Sequence, residues 1–264
     1  KYMISIDLSN KNAIVCGASK GIGKAIALSL AECGASVVLL ARDGNLLQNC
    51  KDQLSTVNNQ KHQILMVDFD DPEDLKIKAT NLLKDLKVHI LINNTGGPPA
   101  GKAILSEPSQ FENAFRQHLI CNQILVQSVL DCMKEQSYGR IINIISTSVK
   151  QPLDNLGVSN TIRGAVANWA KTLANELGQF NITVNNVLPG ATRTSRLEAI
   201  IEKESNMQNK SISEITSQML NTIPMKRFAL PIEIANVVAF LASPLASYIN
   251  GINLPVDGGR TKSL

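Results

Sequence analysis

The chain has 264 residues, 44% of them hydrophobic and 18% charged, and its 26 Lys and Arg against 22 Asp and Glu leave a net charge of +4. That balance is too even to point to a nucleic-acid or membrane partner, and the composition excludes collagen-like, disordered, coiled-coil and disulfide-stapled secreted classes. No apolar run approaches the ~18 residues of a membrane helix, and the opening Lys1-Tyr2-Met3-Ile4-Ser5-Ile6-Asp7 carries no apolar signal core, so a cytoplasmic location is expected.

In chain order, β-branched apolar runs predict strands over 12–16, 36–40, 63–67, 89–92, 140–145, 183–187 and 252–256. Between them lie segments of helical periodicity, among them 22–33, 111–133 and 156–177. Short apolar strands each followed by a helix imply a parallel sheet covered on both faces. Seven strands in one alternation, with no Pro/Ser-rich linker and no repeat, predict a single α/β domain over 1–264 with a doubly wound parallel sheet. One stretch breaks the rhythm: 193–224 carries two polar helical patterns, 196–203 and 212–220, separated by the soluble run 204–210. Polar insertions beyond a strand's C-terminal end are where α/β proteins place substrate loops, so a substrate lid is expected there. The cysteines (Cys16, Cys33, Cys50, Cys121, Cys132) are scattered, without a C-x-x-C pair or a histidine at ligand spacing. They read as reduced buried thiols, and no metal site is expected.

Cys16-Gly17-Ala18-Ser19-Lys20-Gly21-Ile22-Gly23 follows the first strand and opens the first helix. Gly17 permits the sharp strand-to-helix turn. Gly21 and Gly23 allow close approach of a pyrophosphate and tight packing of helix on strand, while the free N–H groups at the helix start bind anionic oxygen. The residue after the second strand reads the adenosine ribose: a carboxylate accepts from its hydroxyls, and a basic residue pairs with a 2′-phosphate. Here Ala41 is followed by Arg42, with Lys20 as a second cation and Asp43 as an ambiguity one step further on. NADP(H) is therefore the expected cofactor.

The G-x-x-x-G-x-G spacing resembles that of the short-chain dehydrogenase/reductase family, and the likeness continues along nearly the whole chain. Asn93-Asn94-Thr95-Gly96 resembles the family's N-N-A-G motif, and Gly139-Arg140-Ile141-Ile142-Asn143-Ile144-Ile145-Ser146 its fifth strand with the catalytic serine. Pro189-Gly190-Ala191-Thr192-Arg193-Thr194 resembles its P-G loop, and Asp257-Gly258-Gly259 its C-terminal turn. The resemblance implies a Rossmann-type fold, a small carbonyl or alcohol substrate with 3-oxoacyl compounds as the leading class, and a homo-oligomer, most often a tetramer. It also implies cofactor contacts from Asp68 and Phe69 at the third strand's end, and from Asn94, Thr95, Gly96, Pro189, Gly190, Thr192 and Thr194.

The catalytic end departs from the family. Typical members carry Tyr-x-x-x-Lys on the helix after the fifth strand, with the phenol as proton donor. This chain has only Tyr2, Tyr138 and Tyr248, none on that helix. Ser159-Asn160-Thr161-Ile162-Arg163 occupies the corresponding register, counted from Ser146. His118 falls where the family's helix carries asparagine, with Asn122 one turn on as a weaker stand-in. Arginine is effectively always protonated, so Arg163 can hold a ribose and stabilise negative charge on oxygen but cannot donate the proton. Two sources of the proton stay open: His118, whose imidazole ordinarily titrates near neutrality, and a water relayed through Ser159. Two functions stay open as well, an NADP-dependent reductase with an altered proton-transfer set and a nucleotide-binding protein without turnover. A hydrolase triad of Ser146, Ser159 and His118 is disfavoured, because there is no G-x-S-x-G elbow and no orienting carboxylate.

Overall fold

Side chains alternate between the two faces of a strand, and that alternation sets the layering here. The computed structural model describes residues 5–263, so the Lys1-Tyr2-Met3-Ile4 segment read above lies outside the described residues. The strands are β1 (Asn12–Cys16), β2 (Ser36–Ala41), β3 (Gln63–Met66), β4 (Ile90–Asn93), β5 (Gly139–Ile144), β6 (Ile182–Pro189) and β7 (Asn253–Val256). They form one parallel sheet in the order β3-β2-β1-β4-β5-β6-β7. Ala13 and Val15 of β1, with Val37 and Leu39 of β2, enter one core beneath α1 (Gly21–Glu32) and α9 (Pro231–Ala242). Ile14 and Cys16, with Val38 and Leu40, enter the other, beneath α3 (Pro72–Leu83), α5 (Cys121–Glu135) and α6 (Gly157–Leu177). Both faces are covered, as the apolar runs require. The short α2 (Gly44–Lys51) links β2 to the strand at the sheet's edge.

Two expected helices differ in detail. The segment read as one helix over 111–133 is α4 (Pro108–Phe115), a π-helical turn at Arg116–Ile120, and then α5. The wider turn adds a residue to the helical ladder, a local feature that recurs at functional sites, and it contains His118. In the polar insertion, α7 (Ser195–Gln208) takes in 204–208 of the stretch read as a soluble break at 204–210, so the interruption before α8 (Ile212–Asn221) is only the three residues 209–211. Glu, Met and Gln are good helix formers, so polarity there marks an exposed helix face and not an interruption. Leu197 and Ile201 of α7 pack with Ile215, Ile223 and Phe228 in a small core of their own.

The sheet's interior holds an unexpected polar seam. Asn93, Asn143, Asn186 and Asn253 are register partners on β4, β5, β6 and β7. Asn93 donates to Asn143 at 2.8 Å, Asn143 to Asn186 at 2.9 Å, and Asn186 to Asn253 at 2.8 Å. Asn143 is fully buried. Asn143→Leu leaves the amide of Asn93 and the carbonyl of Asn186 without partners, and each buried orphan costs about 1–3 kcal/mol. Urea denaturation should therefore show a loss of about 2–6 kcal/mol, whereas an unchanged midpoint would mean the seam contributes nothing to stability.

Candidate active site

The crevice lies beyond the C-terminal ends of β1 and β4, where the strand order reverses. Gly17 sits at φ +60° and Gly21 at +59°, both in the left-handed region that favours glycine. A Cβ on Gly17 would run into the backbone carbonyl and side-chain amide of Asn94, and one on Gly23 into the carbonyl of Gly17. Asn94 in turn donates to Cys16 O at 3.1 Å, tying the end of β4 to the end of β1. Lys20 opens α1 without a side-chain cap, which leaves the helix's first N–H groups available. Ser19 and Ile22 are half-buried on either side of that start, and Lys20 is exposed. Thr194, the cap of α7, brings its methyl to the edge of Gly21. These residues form a tight strand-to-helix turn whose close backbone contacts exclude side chains at Gly17 and Gly23.

Around the turn, Arg42 is exposed directly after β2. Asp43 accepts from Leu46 N at 3.0 Å as the cap of α2, a structural role for that carboxylate. Asp68 is half-buried and accepts from Asp70 N at 3.0 Å; Phe69 packs on the second core. Pro189 ends β6, and Gly190 donates to Val256 O at 2.9 Å with Asp257 pressed against its Cα. Buried Thr192 donates to Gly190 O at 3.0 Å. Gly96 faces open space.

A second group gathers at the ends of β4 and β5. Ser146 caps a short turn at Thr147–Val149, accepting from Ser148 N at 3.1 Å. Ser159 and Arg163, one turn apart on α6, are both 8% exposed. Arg163 donates to Ile144 O at 3.2 Å, at the end of the strand that leads into Ser146. No described residue hydrogen-bonds the Ser159 hydroxyl. His118 is 1% exposed, with Nδ1 2.5 Å from Thr95 Oγ1 and Nε2 unpartnered. Asn122 is buried in the first turn of α5. Tyr138 lies at the opposite end of β5, donating to Ala242 O at 2.7 Å, and Tyr248 is fully exposed, so neither stands in for a missing phenol here.

The sequence reading missed Arg196. From the first turn of α7 it reaches back across the crevice, donating to Gly97 O at 3.2 Å and Pro98 O at 3.4 Å. Its charge bears on both Arg163 and His118. Burial, then the charges of Arg163 and Arg196, push the His118 imidazole from 6.5 down to about 2. The ring is therefore neutral at physiological pH, which corrects the expectation that it titrates near neutrality. Burial first, and Arg196 second, lower Arg163 to about 10, which still leaves it a cation.

The family description "Enoyl-(Acyl carrier protein) reductase" matches residues 17–261. The chain belongs to the short-chain dehydrogenase/reductase family. It is 31% identical to the NADPH-dependent reductase BacG of Bacillus subtilis (strain 168), across 97% of this chain and 100% of that one. It is 33% identical to the 3-oxoacyl-[acyl-carrier-protein] reductase FabG of Vibrio cholerae serotype O1, across 96% and 98%. The crystal structure of L-sorbose reductase from Gluconobacter frateurii, complexed with NADPH and L-sorbose, superposes with a TM-score of 0.92 at 28% identity, covering 99% of this chain and 100% of that one. Among the described residues no helix is long and apolar enough to cross a membrane, and no group of His, Cys, Asp and Glu could hold a metal ion.

The His118 environment has a pH signature. Its folded-state value lies below the unfolded 6.5, so the unfolded chain binds the extra proton and stability falls as pH drops from 6.5 toward about 2. His89, lowered to about 4 by burial and then Lys11, adds to the same slope. His118→Asn should flatten the acid limb of a stability-versus-pH curve. In proton NMR the His118 ring should show no inflection near neutrality; a midpoint at about pH 6–7 would contradict a buried neutral ring.

Proposed function

We propose that this chain is an NADP(H)-dependent oxidoreductase that moves hydride between the nicotinamide and a carbonyl or alcohol substrate, 3-oxoacyl compounds leading, with Ser159 and Arg163 where relatives typically carry Tyr and Lys. The observation that carries the reading is the tight turn at Gly17, Gly21 and Gly23, closed by Asn94 and Thr194 and served by an uncapped helix start. The residues present fit the cofactor. Gly17, Ser19, Gly21, Ile22 and Gly23 would hold its pyrophosphate, Lys20 and Arg42 the 2′-phosphate, Asp68 and Phe69 the adenine side. Asn94, Thr95, Gly96, Pro189, Gly190, Thr192 and Thr194 would flank the nicotinamide half, with Arg163 at its ribose. Asp43 caps α2, and the exposed cation Arg42 directly after β2 favours NADP(H) over NAD(H). The NADPH dependence of the Bacillus subtilis reductase and the NADPH bound to the sorbose reductase support the same choice.

When bound, the cofactor supplies or accepts hydride at the substrate carbon. Arg163 stabilises negative charge on the substrate oxygen, and Ser146 orients that oxygen. His118, held neutral, takes part as a hydrogen-bonding ring on Thr95 and not as a charged acid. The proton then reaches the oxygen through a water held at Ser159. Losing a dedicated acid costs about 10²–10⁴-fold in rate, or about 3–5 kcal/mol of barrier. Positioning of the reactants alone, with effective molarities of about 10⁵–10⁸ M, can outweigh that loss. Slow turnover follows. Helices α7 and α8 form the lid over this site, placed by Thr194 and Arg196 at the base of α7. The protein acts in the cytoplasm as a homo-oligomer, most simply a tetramer; Phe115 and Ile120, 41% and 36% exposed along the α4–α5 rod, support such an interface.

A second reading, cofactor binding without turnover, is favoured by one observation: neither His118 nor Arg163 is an acid that titrates near neutrality. NADPH oxidation measured across a broad carbonyl panel, beside a direct NADPH titration, separates the two. The reductase predicts both binding and oxidation; binding with no oxidation across the panel shifts the assignment to the second reading. Arg42→Ala should weaken NADPH more than NADH, and equal weakening would show that Arg42 does not read the phosphate. The double change Ser159→Tyr with Arg163→Lys should raise carbonyl reduction, because it supplies a phenol whose pKa a neighbouring cation lowers. Sedimentation should give a multiple of the 28.6 kDa chain, and a single species of that mass at micromolar concentration would count against the assembly.

A further inference from the structure

The loop after β4 is tied at one end to the lid and at the other to the helix that carries Ser159 and Arg163. At the lid end Arg196 of α7 donates to Gly97 O at 3.2 Å and to Pro98 O at 3.4 Å. Its guanidinium lies so close that a Cβ on Gly97 would run into it. Among the described residues these are the only hydrogen bonds from α7 or α8 to that loop. At the other end Gly101 pairs with Leu156. Its N–H donates to Asn155 O at 2.7 Å, and its carbonyl accepts from Gly157 N at 2.9 Å. Gly157 is the first residue of α6, and Leu156 before it supplies no side-chain cap. The Gly101 carbonyl therefore takes one of the N–H groups that a helix start leaves orphaned. A Cβ on Gly157 would run into the backbone of Ala103, so loop and helix start are in close contact as well as bonded.

Between the two ends stand Pro98, Pro99 and Ala100. Each proline ring fixes φ at about −65°, and the residue before a proline is confined to extended backbone. Gly97-Pro98-Pro99 is therefore a stiff spacer, and a displacement at Gly97 is passed along it instead of being absorbed. We propose that Arg196 is a positioning residue: by holding Gly97 and Pro98 it sets, through this proline strap and Gly101, the first turn of α6, on which Ser159 stands. What that turn does for the reaction rests on the reductase reading above; the coupling rests on the contacts alone. With the strap held, the lid and the start of α6 are fixed together, and with Arg196 released they loosen together. Asn160 donates to Leu153 O at 2.8 Å and steadies the same start, so release loosens the turn without unwinding it. Arg163, one turn further on, keeps its own anchor at Ile144 O and moves less than Ser159.

The test is amide hydrogen exchange, read by mass spectrometry, on the full-length protein without cofactor, in the wild type, Arg196→Gln and Gly97→Ala. The second variant breaks the contact from the other side. It keeps the charge of Arg196, Gly97 has no positive φ, and the added methyl displaces only the far end of a flexible side chain. In both variants exchange should quicken about fivefold or more over 101–105, 157–163 and 195–201, and keep the wild-type rate over 166–177 of the same helix. No change, or quickening confined to 195–201, would overturn the proposal, since the strap would then carry nothing to α6. Equal quickening along the whole chain would make Arg196 a general packing residue and overturn it too. So would an effect of Arg196→Gln that Gly97→Ala does not share, because that effect would belong to the charge. If Arg196→Gln fails to fold, Gly97→Ala reads the same contact by itself. With a carbonyl compound that the wild type reduces, both variants should lower kcat about tenfold, and an unchanged kcat would contradict a positioning role. Absence of turnover in the wild type would count against the reductase reading alone, because exchange in the cofactor-free protein reads the strap by itself.

Discussion

Four asparagine side chains, bonded amide to amide through the middle of the sheet, fix where the ends of β4 to β7 fall. Parallel strands packed on both faces by aliphatic side chains could slip by two residues and still bury apolar surface. Asn93, Asn143, Asn186 and Asn253 remove that freedom, since any slip would strand their amides in the core. The consequences run directly to the crevice. Asn94, next to the seam, reaches β1; Ile144, one residue beyond it on β5, offers its carbonyl to Arg163; Pro189 and Gly190 follow Asn186 to the P-G loop.

Electrostatics at those strand ends has a single sign. Burial and the charge of Arg196 lower the proton affinity of Arg163, and burial with both arginines holds His118 neutral. In most proteins a carboxylate would balance such a pair. Among the described residues no ion pair joins an acidic side chain to either arginine. The π-helical turn is part of this arrangement, because it turns His118 toward Thr95 in a helix whose neighbours Phe115 and Arg116 are exposed.

Much of the molecule was legible in the sequence because its signals are short-range. Strand runs, the glycine turn and the P-G loop each occupy a few consecutive residues whose physics is local. All seven strands lie within two residues of their expected limits. What the sequence concealed depends on distant neighbours. His118 reads as an ordinary imidazole until two arginines from α6 and α7 and a buried setting act on it. Arg196 sits in a polar helix and looks like surface charge until α7 folds back over Gly97. The asparagine seam was visible as polar residues inside apolar strands, but the register that joins them is a property of the sheet. The break expected at 204–210 between the two polar helices is shorter, 209–211, because polar residues 204–208 continue α7.

The central claim is that Ser159 and Arg163 occupy the proton-transfer and ribose-binding positions of a working NADP(H) site. A crystal structure of the NADPH complex tests it most directly. The account predicts the pyrophosphate on the Gly17–Gly23 turn, Arg163 within hydrogen-bond reach of the nicotinamide ribose, and Ser159 facing the same cleft as Ser146. Ser159 turned away from that cleft, with a different acid beside the nicotinamide, would contradict it.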